Sequence, residues 1–408
     1  MSLFLSPNPL RQRRPAVFVA AIVAACFGTA AASIGDDEGP LPGPIRLRLP
    51  PTLYAVVGQE TNLYFDNVVL TTRPDHYAFD AVCAHGRQQA ERWTWTPGEQ
   101  DVGQHRLAIE VRDESNGLVA RAQTTVMVSA ADAGADRPLS VLMIGDSLTH
   151  ASVYPAHLLK LCQPAGNPRV ELVGSFQPAG AAEGVRHEGY GGWTARRFAT
   201  HFTGTARAGD YKQRGSPFLY LNEQSEQRLD FMHYCRDVNG GKSPDVVSIF
   251  LGPNDIFGAT DSNLEQTIDD MLLHLAQLVE MIRSASPQTV VALMLPVPPA
   301  SSQDAFGGNY ASGQTRWQYK RNQHRLVERM LDQFADGSLE GVSIVPTSVN
   351  LDCLRNYPAT SAAANARNSQ ALERQSNAVH PATSGYEQIG DTLYAWLKDH
   401  ASRMSGTP

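Results

Sequence analysis

Residues 140–148 read SVLMIGDSL, and this stretch indicates the fold class of the larger part of the chain. An unbroken apolar run ends at Gly145 and passes directly into Asp146 and Ser147. Such a run suits a strand that is buried on both faces, as strands of parallel sheets are. Gly145 permits a tight turn, so Ser147 is expected at the N-terminus of the helix that follows.

Four further apolar runs and two amphipathic helical patterns follow this stretch. Alternating strands and helices predict a doubly wound α/β domain, whose functional groups should lie at the carboxyl ends of its strands. The runs are VELVGS (170–175), DVVSIFLG (245–252), TVVALMLPV (289–297) and VSIVPT (342–347), and the helical patterns cover 263–284 and 315–334.

The residues before this domain have a different pattern. From 40 to 130, short segments rich in β-branched and aromatic residues alternate with Gly, Pro, Asn and Asp, which predicts a small antiparallel all-β sandwich. The stretch WTWTPGEQDVGQHRLAIEVRD (93–113) resembles bacterial Ig-like and cadherin-like repeats. Such a domain could bind a partner, act as a spacer, or pack as an appendage. Residues 131–138 read as a linker.

The first 32 residues have the layout of a secretory signal peptide. Arg11, Arg13 and Arg14 precede the run AVFVAAIVAACFGTAAA, which is short for a bilayer span and ends in small residues. Cleavage near residue 32 would place the protein in the periplasm or outside the cell. Cys26 lies in a lipobox-like context, so lipidation there, with membrane attachment, is the alternative.

The charge and cysteine content limits the possible partners. Without residues 1–32 the chain keeps 31 basic and 41 acidic side chains, a net charge of −10, which argues against nucleic acid or an anionic membrane as the main partner. The absence of CxxC and HExxH spacings argues against a zinc site. In an exported protein, two disulfides could form, with undetermined connectivity, from Cys83, Cys162, Cys235 and Cys353.

Three more polar segments stand at predicted strand or helix ends. HEGYGGWTARRF (187–198) has a double glycine that can point a backbone N–H into a cleft. GPND (252–255) places Asn254 where an amide can donate to a developing oxyanion. SNAVHP (376–381) places His380 before the last helix. Each segment alone is explained by a turn or a cap, whereas together with Ser147 they form a chemically complete set.

The GDSL, GGWT, GPND and HP blocks, in this order, resemble the SGNH (GDSL) hydrolase superfamily over residues 139–402. The resemblance implies a flavodoxin-like three-layer fold with about five parallel strands, and esterase chemistry that needs no cofactor or metal. By the matching blocks, Ser147 resembles the nucleophile and His380 the general base. The N–H groups of Ser147 and Gly192 and the amide of Asn254 would form the oxyanion hole.

The sequence departs from the family pattern Asp-x-x-His, because Asn377 stands where the acid is expected. The acid normally orients the histidine and stabilises the imidazolium. Three alternatives follow: Asn377 accepts a hydrogen bond from His380, another carbonyl or carboxylate orients the ring, or the protein is an inactive binding relative. The intact Ser147, Gly192, Asn254 and His380 count against the last.

The substrate is less well defined by the sequence. Tyr190 and Trp193 flank the glycine block and are candidate substrate contacts, although Trp193 could equally be a packing aromatic. HEGYGGWT is similar to the glycine block of carbohydrate acetylesterase branches of the superfamily. The prediction is a secreted esterase that removes acetyl or other short acyl groups from carbohydrate. The alternatives are a lipolytic esterase, with an apolar patch around Ser147, and a cell-surface glycan-binding relative. Residues 199–241 could overhang the cleft or decorate the fold.

Overall fold

The N-terminal half of the chain is built from strands. The computed structural model describes residues 45–204 and 213–404. One helical turn, α1 (Phe65–Val68), interrupts the second predicted strand-like segment. The strands of this region are β1 (Arg46–Leu47), β2 (Thr52–Val56), β3 (Thr61–Tyr64), β4 (Val69–Leu70), β5 (Ala78–Val82), β6 (Arg87–Gln88), β7 (Arg92–Trp95), β8 (Gly103–Arg112) and β9 (Leu118–Ser129).

These strands form sheets with the orders β2-β9-β8-β5, β3-β7-β6 and β1-β4. Alternate residues point into one apolar cluster that includes Leu63, Trp93, Ile109 and Val126. The pairings are antiparallel, as predicted, except that β2 pairs with β9 in parallel. This pairing joins the start of the region to its end, where no hairpin imposes an antiparallel direction. The all-β prediction is confirmed, whereas the Ig-like resemblance and the boundaries 40–130 and 131–138 stay predictions.

The α/β region begins with the strand that carries the GDSL block. The predicted apolar runs are strands, and both predicted helical patterns are helices. The elements are β10 (Pro138–Gly145), α2 (Ser147–His150), α3 (Val153–Cys162), β11 (Arg169–Val173), β12 (Glu188–Gly189), α4 (Ala195–Thr200), β13 (Leu219–Leu221), β14 (Gln227–Leu229), α5 (Phe231–Val238), β15 (Val246–Phe250), α6 (Pro253–Ile256), α7 (Leu264–Ala285), β16 (Val290–Met294), α8 (Gln303–Tyr310), α9 (Arg316–Phe334), β17 (Val342–Val345), β18 (Ala359–Asn365), β19 (Asn368–Gln375) and α10 (Thr383–Arg403).

The main sheet has the order β11-β10-β15-β16-β17, and all its pairings are parallel. In chain order this is 2-1-3-4-5, the flavodoxin-like arrangement. Leu142 and Ile144 face one apolar cluster, which α4, α5, α7 and α9 cover. Val141 and Met143 face the opposite cluster, covered chiefly by α3, α8 and α10. The predicted three-layer α/β fold is thus confirmed.

The strand order places the functional segments at one edge. The strand order reverses at β10, because β11 lies on one side of it and β15 on the other. Ligands of doubly wound folds bind at such a switch point. Gly145 lies opposite Phe250 in the register of these two strands. Consequently the loops that begin at Asp146 and Leu251 start side by side, although they are about 100 residues apart in the chain.

The strand-rich region packs directly against the α/β region. Asp66 of α1 forms an ion pair with Lys320, which is buried, and with Arg316 at 2.8 Å, both on α9. Asn67 donates from Nδ2 to the carbonyl of Leu351 at 2.8 Å. The predicted linker is also held, because Lys398 of α10 donates to the carbonyl of Ala131 at 2.5 Å.

Asp66→Ala is expected to destabilise the protein by about 2 kcal/mol, since Lys320 would be left buried without its partner. This is below the ~3–5 kcal/mol typical of breaking a buried pair, because Asp66 is half exposed. Urea unfolding of the variant checks the value. Asp75→Ala, at an exposed acid without an ion pair in the described residues, is the control, and equal stability of the two variants would contradict the expectation.

The predicted disulfides are absent from the described residues. Cys83, Cys162, Cys235 and Cys353 are all free thiols. Cys83 packs in the strand-rich region, Cys235 on one face of the parallel sheet, and Cys162 and Cys353 on the opposite face. The last two share a face, yet each is a free thiol. Burial raises the pKa of the Cys162 thiol to about 12, so it stays protonated and unreactive.

The predictions for the N-terminus concern residues outside those the structure describes. These are the signal peptide over 1–32 and the lipidation alternative at Cys26. No helix in residues 45–204 and 213–404 combines the length and the apolar character that a bilayer crossing requires.

Candidate active site

The turn after β10 presents Ser147 at the first position of α2. A Cβ atom on Gly145 would lie 1.9 Å from Oγ1 of Thr149 and 3.0 Å from the carbonyl oxygen of Phe250, so the close contact between β10, α2 and β15 requires glycine. Asp146 caps the helix, because its Oδ1 accepts from the N–H of Leu148 at 2.9 Å. The Ser147 N–H, as the first of the helix, has no intrahelical acceptor.

His380 meets Ser147 from the other end of the domain. Its Nε2 lies 2.8 Å from Oγ of Ser147, although 233 positions separate the two residues. The preceding segment is anchored, since the N–H of Ala378 donates to Oδ1 of Asn309 at 2.7 Å and its carbonyl accepts from Ala300 at 3.0 Å. The structure therefore joins the first and last blocks in one hydrogen bond.

Asn377 does not orient the His380 ring. Its Oδ1 accepts from the backbone N–H groups of Val379 at 3.1 Å and of His380 at 2.9 Å. These two donors set the amide orientation, because the opposite flip would bring N–H groups against an NH₂ group. The remaining Nδ2 only donates, so it cannot accept the Nδ1 proton of His380. The first of the three alternatives for Asn377 is therefore not what the structure shows.

No described carboxylate or carbonyl accepts from Nδ1 of His380 either. Burial lowers the pKa of His380 below its usual value, and no neighbouring carboxylate compensates. The imidazole is thus neutral at pH 7 and Nε2 can accept a proton. The geometry is that of a Ser–His pair without a charged third member.

Asn254 lies beside the Ser147 turn, and protein atoms hold its amide. Nδ2 lies 3.0 Å from Oδ2 of Asp146 and 3.2 Å from the carbonyl oxygen of Trp193. An amide NH₂ has two hydrogens, and each has an acceptor here. Donation to an oxyanion would therefore replace or share one of these two bonds.

Gly192 occupies an exposed turn in which the N–H of Trp193 donates to the carbonyl of Tyr190 at 3.1 Å. Its φ of +76° lies in the left-handed region that glycine adopts without strain. No described atom accepts from the Gly192 N–H. The turn therefore presents a free backbone donor next to Asn254, which binds the Trp193 carbonyl.

The prediction that Tyr190 and Trp193 contact the substrate at the surface is wrong, because both side chains are completely buried. The Tyr190 hydroxyl donates to Glu188, and the Trp193 ring packs 4.8 Å from Phe198 and under the guanidinium of Arg197. These rings support the glycine turn from inside the core. Trp193 is thus the packing aromatic of the alternative explanation.

Asp146 is a site residue that sequence reasoning missed. It is fully buried and connects the Ser147 turn to Asn254 through its two carboxylate oxygens. Burial raises the pKa of Asp146 to about 7. The signal was available in the GDSL block itself, where this acid directly precedes Ser147.

A second serine–histidine contact is structural. Oγ of Ser152 lies 2.9 Å from Nε2 of His187, but Nδ1 of His187 accepts from the N–H of Gly189 at 2.9 Å. Nε2 therefore carries the proton and donates to the serine, which is the opposite of what a base needs. Burial also lowers the pKa of His187 to about 3, so this pair supports β12 rather than catalysis.

The family model of the GDSL-like Lipase/Acylhydrolase family matches residues 143–388, more than half of the chain. The chain belongs to this family. Its members hydrolyse ester bonds, so this family member is an ester hydrolase, as predicted. In the part of the chain that the structure describes, no group of three His, Cys, Asp or Glu side chains is arranged to hold a metal ion.

Solved structures similar to this acylhydrolase include three esterases. A family 3 carbohydrate esterase from Clostridium thermocellum is 17% identical, with 66% of this chain and 100% of that chain covered and a TM-score of 0.38. One from Talaromyces cellulolyticus is 17% identical, with 65% and 100% covered and a TM-score of 0.37. A mutant acetyl esterase with an acetate ion is 16% identical, with 65% and 100% covered and a TM-score of 0.37. No curated protein matches the chain.

Proposed function

We propose that this acylhydrolase is a serine esterase that works with a Ser147–His380 pair. The 2.8 Å contact between Nε2 and Oγ is the observation that carries this proposal. His380 takes the Ser147 proton as Oγ attacks the ester carbonyl, and it returns that proton to the leaving alcohol. Water, activated by the same imidazole, then releases the acid from the acyl-serine.

The developing oxyanion would be stabilised by three donors: the N–H groups of Ser147 and Gly192 and the amide of Asn254. The Gly192 N–H has no competing acceptor among the described residues. Asn254 would give up or share its bond to Asp146 or to the Trp193 carbonyl. Because Asp146 has a raised pKa of about 7, it is partly protonated at neutral pH and is then a weaker acceptor.

We further propose that the substrate is a carbohydrate carrying acetyl or another short acyl group, and that the enzyme is exported. The similarity of HEGYGGWT to carbohydrate acetylesterase blocks supports the first proposal, and the layout of residues 1–32 supports the second. The large apolar side chains that are exposed in the described residues do not belong to the four site segments. That favours a short acyl group over the extended apolar contact that a lipase needs.

The experiment is a chain-length series of p-nitrophenyl esters, run beside acetylated polysaccharides and phospholipid vesicles. We expect kcat/KM to be highest for acetate and to fall by about tenfold or more for long acyl chains, since the four site segments, all within the described residues, expose no large apolar side chain. Acetate release from a polysaccharide would support the carbohydrate substrate. Preference for long chains or vesicles would favour the lipolytic alternative, and no turnover of any ester would favour a binding relative.

The pH profile of this esterase should have its acid limb below pH 6.5. The base must be neutral, and burial lowers the pKa of His380 from that ordinary value, so kcat/KM should rise with pH through the lowered pKa and then level off. Acetate release at a series of pH values measures the limb. Asp146→Asn is the control, because a limb that belongs to the Asp146 carboxyl disappears in it; a midpoint at or above 6.5 would contradict the absence of an anion beside His380.

A further inference from the structure

Two neighbouring side chains of α6 hold the glycine turn. Asn254 donates to the carbonyl oxygen of Trp193 at 3.2 Å, and Oδ1 of Asp255 accepts from the backbone N–H of Ala195 at 3.0 Å. The two bonds hold the residues on either side of Thr194, and the first of these, Trp193, directly follows Gly192. The residues that follow Gly192 are therefore held from α6, at the end of β15.

The Asp255 bond does not serve to start α4. Thr194 already caps this helix, because its Oγ1 accepts from the N–H of Arg197 at 3.1 Å. Thr194 also has the extended backbone of an N-cap residue, with φ −115° and ψ 164°. Asp255 therefore contributes a second, long-range contact that is not needed for helix formation and that ties the helix start to the third block.

The other carboxylate oxygen of Asp255 lies in an unusual environment. Oδ2 is buried and has no hydrogen-bond partner in the described part of the chain. Such orphaned polar atoms are rare in folded proteins and call for an explanation. Burial, and next the nearby Asp146, raises the pKa of Asp255 to about 8. A protonated carboxyl still accepts at Oδ1, and it places no negative charge beside a developing oxyanion.

We propose that Asp255 is a positioning residue for the oxyanion hole: through the Ala195 N–H it holds turn 190–195 so that Gly192 N–H points at the oxyanion. This inference rests on the proposed Ser147 esterase mechanism. Asp255 touches no reacting atom, so its contribution is to the placement of a donor. Donors that are already in position when charge develops are the ones that lower the barrier.

The test begins with kcat and KM for p-nitrophenyl acetate in the full chain. Asp255→Ala is expected to lower kcat by about 10- to 100-fold, somewhat less than the ~10²–10³ for deleting a donor outright, with KM changed by less than about threefold. Asp255→Asn should keep kcat within about threefold, because the amide oxygen accepts from Ala195 N–H and the group is neutral. Failure of this rescue would overturn the proposal.

A second variant removes the bond from the other side. Ala195→Pro deletes the N–H at the first helical position, where proline is tolerated, and Thr194 already has the extended backbone that a following proline needs. It should lower kcat as Asp255→Ala does, and the double variant should lose little more. Ala195→Pro therefore tests the same hydrogen bond if Asp255→Ala does not fold. Additive losses in the double variant would overturn the proposal.

The readout specific to the oxyanion is the rate ratio for a matched ester and thionoester, since sulfur fits a hole built for oxygen poorly. Wild type should prefer the oxygen ester strongly, and Asp255→Ala should reduce that preference. Thr200→Ala, at the exposed far end of α4, removes only a hydrogen bond to the carbonyl of Arg196 within that helix and should keep both the preference and kcat. An unchanged ratio in Asp255→Ala, or an equal fall in Thr200→Ala, would show a merely structural role. Ser147→Ala in the same assay distinguishes failure of the Asp255 proposal from failure of the Ser147 mechanism. Full activity in Ser147→Ala would reject the esterase mechanism itself.

Discussion

His380→Ala is expected to lower kcat for p-nitrophenyl acetate by about 10⁴- to 10⁶-fold, and Ser147→Ala by a similar factor. The two residues act as one unit, and losses of this size follow removal of either member of a serine–histidine pair in other hydrolases. The 2.8 Å contact leaves no other described group in place to take the serine proton. Burst kinetics with wild type would report the acyl-serine intermediate.

Non-additivity is the sharper form of this prediction. The double variant Ser147→Ala/His380→Ala should be no slower than the slower single variant, because either change already removes the nucleophile–base unit. Ser152→Ala and His157→Ala are matched controls outside the pair and should stay within about tenfold of wild type. If Ser152→Ala instead abolished activity, the tautomer argument that assigns a structural role to His187 would be wrong.

Asn377→Asp is expected to raise kcat by about 10- to 100-fold. Asn377 has one acceptor oxygen, and the N–H groups of Val379 and His380 already use it. An aspartate keeps that oxygen for the two N–H groups and adds a second acceptor where the amide can only donate. Since position 377 is where the family pattern has its acid, we expect that oxygen to accept from Nδ1, fix the productive tautomer and stabilise the imidazolium. The expected gain is smaller than the ~10⁴ loss that the reverse exchange, Asp to Asn, causes in a serine protease, since Nε2 already lies at hydrogen-bonding distance.

The same variant should move the acid limb of the pH profile upwards. A carboxylate beside the ring favours the imidazolium and raises the pKa of His380, which burial now keeps low. Asn377→Ala is the control: it loses the turn contacts and gains no acceptor, so kcat should fall. A fall in kcat for Asn377→Asp at unchanged thermal stability would show that the amide, or a different group, orients the ring.

The sequence predicted the parts of the fold that local patterns encode. The apolar runs at 140–145, 245–252 and 289–297 are buried strands that lie next to one another in the sheet, and the patterns at 263–284 and 315–334 are α7 and α9. The exposed hairpin of β18 and β19 escaped prediction, because its side chains are nearly all in solvent and no alternation of apolar and polar residues marks it. Among the described residues the two strands pair only with each other, and neither has a buried face whose apolar residues would have indicated a strand.

The aromatic residues of the glycine block were recognised in the sequence, but their burial was not predicted. Tyr190 and Trp193 have the composition of a sugar-binding surface, but their burial depends on α4 and on Glu188, which lies within β12. Composition alone does not distinguish a ring that faces a cleft from one that faces the core. Likewise Asp255 became visible only through its bond to Ala195, 60 positions away in the chain.

The sequence was sufficient to predict that a serine, a glycine turn, an amide and a histidine stand at the ends of successive strands and helices of a parallel α/β domain. It did so because strand burial and turn chemistry are local, and because the carboxyl ends of parallel strands share one edge. Which atoms meet was settled by tertiary packing: Nε2 with Oγ, the Asn377 oxygen with backbone N–H groups instead of imidazole, and Oδ1 of Asp255 with the N–H of Ala195. Hydrogen bonds act over about 3 Å, and only the packed chain brings groups so far apart in sequence to that distance.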